Sequence, residues 1–272
     1  MEHVTANGLK FAYLEEGEGP LVLLVHGFPD TARSWDLTRP ALAEAGYRAV
    51  SPWTRGYAPT EAPAAEAFDA DTLGRDLEAL IDALGEDSAI VVGHDWGASA
   101  AYSLAGLAPQ KVRKLVTVAI PHPAGIRPSP SLLWSVRHFF YLRRRGIADK
   151  IRSTDYAYIR ELVHRWSPTW DFPADELDPV LEAFAQPGCL EAALGYYRAL
   201  SPKLPAGQRK KITMPAVAFA GTDDMIAPAA YHRTHGRYTS DFEVVTMPGG
   251  HFMHREHPQH FNRELLRVLG EP

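Results

Sequence analysis

Short, almost continuously apolar runs alternate along this chain with longer stretches whose apolar positions recur at helical spacing. Leu21–Val25, Arg48–Ser51, Ala89–Val92, Leu115–Ala119, Ala216–Ala220 and Glu243–Thr246 read as strands. Runs apolar on both alternating faces suit strands covered by helices on either side. Between them, Trp35–Ala45, Asp71–Leu84, Ala98–Ala108, Pro228–Gly236 and Pro258–Leu269 read as helices. Strand–helix alternation predicts an α/β fold with a mostly parallel central sheet flanked by helices. Leu9–Glu15 is predicted to be an arm of an antiparallel edge hairpin, joined to Leu21–Val25 through Gly17–Pro20.

The alternation stops after Ala119. Pro121, Pro123, Pro128 and Pro130 open a stretch without a convincing strand. Helix-permissive, aromatic segments follow at Leu132–Arg145, Thr154–Arg165, Leu177–Phe184 and Leu190–Leu200, and Pro202 and Pro205 close it. Residues 122–208 are therefore read as a helical cap inserted into a core formed by residues 1–121 and 209–272.

Composition narrows the function classes without choosing one. The chain has 272 residues, enough for a sizeable core without disulfide or metal staples. It carries 28 Lys and Arg against 33 Asp and Glu, for a net charge of −5. With no long basic run, neither nucleic acid nor an anionic membrane is an expected partner. One cysteine excludes an intrachain disulfide and a CxxC redox or zinc pair. No basic, apolar leader opens the chain and no run approaches a membrane span, so a soluble, cytoplasmic protein is expected.

The motif that carries chemistry is Gly93-His94-Asp95-Trp96-Gly97, placed after a strand and before a helix. Its outline is Gly-x-nucleophile-x-Gly, a sharp strand-to-helix elbow. Glycines permit the turn and the close packing of helix on sheet. The apex here is Asp95 rather than Ser or Cys. A serine attacking an sp³ carbon would form an ether, which water does not readily remove. A carboxylate forms an ester, which activated water hydrolyses. The helix N-terminus favours the ionised form. An aspartate elbow therefore points to alkyl electrophiles, either epoxides or carbon–halogen bonds. The plainer alternative is an Asp that only caps the helix.

With His26-Gly27-Phe28-Pro29, Arg55-Gly56-Tyr57, the Asp95 elbow, a helical insertion, a late acid and a late histidine in that order, the chain resembles the α/β-hydrolase family. The resemblance is to its epoxide hydrolase and haloalkane dehalogenase branch, and it runs over nearly the whole length. It implies His251, in Gly249-Gly250-His251, as the general base. An ordinary imidazole pKa near 6.5 suits it to take a proton from water. His254, His257 and His260 read as exposed. Asp223 and Asp224 compete as the acid that orients His251. The position before an apolar pair and a proline matches Asp224, and Asp223 reads as an exposed turn residue. The backbone N–H groups of Phe28 and Trp96 are implied as the oxyanion hole.

Epoxide and halide differ in what the leaving group needs. A departing halide needs N–H donors, and branch dehalogenases often carry Asn where this chain has Phe28. An epoxide oxygen needs a proton, which a phenol supplies. Tyr197, just before Arg198, matches the second cap tyrosine of epoxide hydrolases. The first such tyrosine would fall near Val136; His138 or Tyr141 are candidates for its place, or cap packing. Tyr196 and Tyr57 are further pocket candidates, Tyr57 chiefly structural.

The expected function is cofactor-free, metal-free hydrolysis of small organic epoxides to vicinal diols through an Asp95 ester, by a monomer or homodimer. The rivals are a haloalkane or haloacid dehalogenase using the same ester, and a non-catalytic ligand binder on the same fold. A carboxylic ester hydrolase would require a mixed anhydride at Asp95, which disfavours it.

Overall fold

The structure is a computed structural model that describes residues 1–63, 67–126 and 130–270. Eight strands form one sheet: β1 Glu2–Ala6, β2 Leu9–Glu16, β3 Leu21–Val25, β4 Arg48–Pro52, β5 Ala89–His94, β6 Val112–Val118, β7 Ala216–Gly221 and β8 Phe242–Met247. Their spatial order is β1-β2-β4-β3-β5-β6-β7-β8. The β1–β2 and β2–β4 pairs are antiparallel, and every other pair is parallel.

Alternation along β3 shows why both faces are apolar. Leu21, Leu23 and Val25 pack with Leu73, Leu77, Ala101 and Leu104 on one face. Val22 and Leu24 pack with Leu42, Phe261 and Leu265 on the other. The first set of partners comes from α2 Ala70–Ala83 and α3 Trp96–Leu107; the second comes from α1 Arg39–Glu44 and α12 Pro258–Leu269. Asp69 caps α2, its Oδ1 accepting from the N–H groups of Asp71 and Thr72 at 3.1 Å each.

Between β6 and β7 the described residues hold only helices: α4 Pro130–Ser135, α5 His138–Leu142, α6 Ile147–Ser153, α7 Ala157–Trp166, α8 Asp178–Ala185 and α9 Cys189–Arg198, besides a 3₁₀ turn at Pro123–Gly125 and another at Gly207–Arg209. Pro128, one of the prolines read as a linker, lies outside the described residues. After β7 come α10 Pro228–His232 and, behind β8, α11 Met253–Glu256. Among the described residues no helix is long and apolar enough to cross a membrane.

Three local expectations change. The edge hairpin pairs β2 with β1 and β4, not with β3. The Gly17–Pro20 link carries the chain past β4: a side chain on Gly17 or Gly19 would strike the carbonyls of Tyr47 or Gly46, at 2.3 and 2.2 Å. The signal for the real hairpin is Asn7-Gly8, both at positive φ between Ala6 and Leu9, the pair that two-residue turns favour. The stretch expected as one helix from Trp35 splits into a 3₁₀ turn at Ala32–Trp35 and α1, with Pro40 in the first turn of α1. Leu132–Arg145 likewise splits at the α4–α5 junction.

Candidate active site

The parallel strands end on one edge of the sheet, where the loops after β3, β5, β7 and β8 meet; ligands of open α/β sheets bind at such edges. At the end of β5 the chain reverses at Asp95, whose φ of 51° and ψ of −116° lie where L residues rarely go. Such strain costs about 1–3 kcal/mol and persists only where packing fixes it. Packing does so here. A Cβ on Gly97 would lie 2.2 Å from the Val25 carbonyl oxygen, and one on Gly27 would lie 2.5 Å from Asp95 Oδ1 and 2.7 Å from the Trp96 nitrogen. Only glycines allow β3, its following loop and α3 to approach this closely. Asp95 is not a helix cap: its side chain makes no capping bond to α3, unlike Asp69 on α2. Its Oδ1 instead accepts from the Phe28 N–H at 2.9 Å.

His251, in the loop after β8, stands between two carboxylates. Its Nε2 lies 3.3 Å from Asp95 Oδ2, and its Nδ1 lies 3.3 Å from Asp224 Oδ1. The Nε2 contact lacks hydrogen-bond alignment, so it is an ion-pair approach. Asp224 is the carboxylate that faces His251, with a fully buried side chain, while Asp223 is exposed. Burial disfavours a charged imidazole, but Asp224 and Asp95 outweigh it and push the His251 pKa up to about 10. Burial also disfavours the Asp95 charge, yet His251, His94 and the Phe28 N–H hold its carboxyl below the usual range. For Asp224 burial dominates, and its pKa is raised.

The loop bearing His251 is tied to the helical segment. The His251 N–H donates to the Trp166 carbonyl at 2.9 Å. Ser167 Oγ accepts from the Phe252 N–H at 3.1 Å and donates to Glu256 Oε1, which also accepts from the Gly250 N–H. Arg255 joins Glu176 of the helical segment to Asp30 of the core. Neither Trp166 nor Ser167 stands in a motif, so the sequence gives no sign of these ties.

His254 is not exposed, as the sequence suggested, but buried at the end of α11. It packs on Trp35 and His94, with ring centroids 4.6 Å away in each case. Ser34 Oγ donates to Asp30 Oδ2 at 2.5 Å and accepts from His254 Nε2 at 2.7 Å. His94 Nε2 donates to the His251 carbonyl at 3.0 Å. Asp30, His94 and His254 are the one group among the described residues close enough together to hold a metal ion. Ser34 and the Arg255 guanidinium already engage the Asp30 carboxylate, a poor setting for a cation. The group is a hydrogen-bonded support behind His251.

A cavity of about 430 Å³ reaches Asp95 and Trp96. Its wall is mainly apolar and includes Phe68, Ile120, Phe139, Tyr196, Leu204 and Ile226. Tyr197, on α9, stands beside this end with its ring 5.1 Å from that of Trp96 and 5.2 Å from that of Phe28. The Tyr197 hydroxyl is buried and faces the Trp96 indole N–H, without hydrogen-bond alignment to it or to any other group among the described residues. Burial, reinforced by the Asp95 charge, raises its pKa well above the ordinary phenol value, which keeps the proton on it.

The other pocket candidates have surroundings of their own. Tyr196 lines the cavity, but its hydroxyl donates to the Arg55 carbonyl at 2.8 Å. Arg55 is itself held by a buried two-pronged pair with Asp76. Tyr57 is buried against His26 and Phe184, and its hydroxyl, like that of Tyr197, makes no aligned hydrogen bond among the described residues. Tyr141 lies on Tyr158 at 4.4 Å, near Arg144 and Lys150, and does not line the cavity. His138 is buried between Phe139 and Trp166. Its Nδ1 donates to the Ser135 carbonyl at 3.2 Å, and burial lowers its pKa to about 3. Its Nε2 therefore carries a lone pair at neutral pH and has no proton to give.

Residues 20–258 match the family described as alpha/beta hydrolase fold. The chain is 30% identical to Epoxide hydrolase A of Mycobacterium tuberculosis, over 98% of this chain and 96% of that protein. It is 28% identical to the AB hydrolase superfamily protein YfhM of Bacillus subtilis, over 98% and 97%. Among solved structures, Epoxide Hydrolase A from Mycobacterium thermoresistibile superposes with a TM-score of 0.80 at 27% identity, covering 98% of this chain and 97% of that one. The chain belongs to the α/β-hydrolase fold family; it is a hydrolase that groups there with proteins named as epoxide hydrolases.

Proposed function

We propose that the protein hydrolyses small organic epoxides to vicinal diols through an ester on Asp95. The observation that carries this reading is the uncapped Asp95 carboxylate at the cavity end, 3.3 Å from His251. Asp95 Oδ2 attacks a ring carbon, the carbon–oxygen bond opens, and the Tyr197 hydroxyl protonates the departing oxygen. His251 then takes a proton from water, and the hydroxide attacks the Asp95 carbonyl carbon. The Phe28 and Trp96 N–H groups stabilise the oxyanion, which collapses to release the diol. The two protons of the consumed water end on His251 and on the second diol oxygen, which restores the resting charges.

The charge arrangement supports this order of steps. In the free enzyme two carboxylates hold the proton on His251. Ester formation removes the Asp95 charge, so the His251 pKa falls; its proton passes to the Tyr197 phenolate, and the neutral imidazole becomes available as a base. Asp224 keeps it oriented through Nδ1. Residues 122–208 act as a cap over the core of residues 1–121 and 209–272, bringing Tyr197 to Asp95 and Trp166 to His251.

A halide would find the Trp96 indole N–H, which is buried and makes no aligned hydrogen bond among the described residues, but no side-chain donor on Phe28. Turnover of styrene oxide and short haloalkanes, measured side by side, tests the reading. Diol without halide release is expected. Epoxide turnover that survives Asp95→Ala would sink it.

A further inference from the structure

We propose that the site is one-sided and takes terminal epoxides that carry a single large apolar arm, rejecting internal epoxides with an arm on each ring carbon. This rests on the epoxide reading above and names its substrate class.

Asp95 and Trp96 are among the residues that line the cavity. Its wall includes Trp96, Phe139, Ile120 and Leu204, and the exposed Lys203. Polar side chains along it are already engaged: Asp69 caps α2, and Gln208 donates to Ser99. What they leave is hydrocarbon surface, suited to an alkyl or aryl substituent.

Other rings near Asp95 are closely packed. Phe28 stacks on Phe184 at 5.7 Å and meets Tyr197 edge-on at 5.2 Å. Trp166 lies 4.9 Å from His251 and 4.7 Å from His138. None of Phe28, Phe184, Trp166 or His138 lines the cavity, and each is at most 2% exposed. An epoxide ring placed between Asp95 and the Tyr197 hydroxyl can send one substituent down the cavity. A second substituent would have to displace packed rings.

The test compares constitutional isomers of equal size and apolarity on the wild-type protein: 1,2-epoxydecane and trans-5,6-epoxydecane. The expected kcat/KM favours the terminal isomer by about 100-fold, the scale of overpacking a well-filled site. Comparable rates for both would overturn the one-sided site and leave the epoxide reading standing. Turnover of neither, nor of styrene oxide, would remove the epoxide reading and this inference with it. Phe184→Ala and the milder Phe184→Leu open the closed side, and the preference for the terminal isomer is expected to shrink about tenfold in the first. An unchanged preference in both folded variants would overturn the assignment of the closed wall.

Discussion

The backbone N–H of His251 donates to the carbonyl of Trp166 at 2.9 Å, and the two rings lie 4.9 Å apart. The imidazole that faces Asp95 is thus fixed by the helical segment as well as by the sheet. Ser167, the next residue, extends the grip to Phe252 and Glu256. Ser167→Ala leaves the Phe252 N–H and a Glu256 oxygen short of a partner, and is expected to lower stability by about 1–3 kcal/mol. A loosened His251 should also lower kcat about tenfold while KM changes little. Urea unfolding and steady-state kinetics on the folded variant check both. An unaltered kcat would show that the tie serves folding alone.

Replacing His251 separates the two halves of the proposed reaction. His251→Gln removes the base but keeps Asp95 and Tyr197. Exposure to one equivalent of epoxide should then raise the intact mass by that of the substrate, with diol formation slowed by about 10²–10⁴-fold. Wild-type protein quenched at acidic pH should show the same adduct, because water attack needs the neutral imidazole.

The two neighbouring tyrosines should respond oppositely. Tyr197→Phe keeps the ring against Trp96 and Phe28 and removes the proton donor, so kcat/KM should fall by about 10²–10⁴-fold with the fold intact. Tyr196→Phe deprives the Arg55 carbonyl of its donor, and should cost about 1–3 kcal/mol of stability with activity largely kept. Kinetics and thermal unfolding of both variants would reveal an inverted pattern if the roles were exchanged.

Acid should destabilise the protein through its buried neutral histidines. Burial lowers the pKa of His94 and His138 to about 3 and that of His122 to about 4, and holds His254 well below its ordinary value. An unfolded histidine takes up its proton near pH 6.5. Between pH 6.5 and about 4 the unfolded chain therefore binds more protons than the folded one, and stability falls as the pH falls. Each such group contributes a slope of up to about 1.4 kcal/mol per pH unit. Denaturant titrations of wild type and His122→Phe across this window should show a shallower loss in the variant.

How much was legible in the sequence differs by element. β3, β5 and β7 are visible because residues buried on both faces leave uninterrupted apolar runs, and α12 is visible through its helical period. Asp95 is legible because the glycines that its φ of 51° requires sit beside it. His254 was misread because a histidine's burial depends on what packs over it, here Trp35 and Ser34, more than 200 residues earlier.

By itself the sequence determined the alternation of strands β2 to β8 with helices, the helical stretch between β6 and β7, and the aspartate at the elbow, since each depends on neighbours a few residues away. Tertiary structure decided what depends on residues far apart. It turned Asp224 rather than Asp223 toward His251, engaged the Tyr196 hydroxyl with the Arg55 carbonyl, and left His138 Nε2 without a proton by committing Nδ1 to the Ser135 carbonyl. Local periodicity records which residues are buried; it does not record which buried groups face one another, and the chemistry of this site depends on that facing.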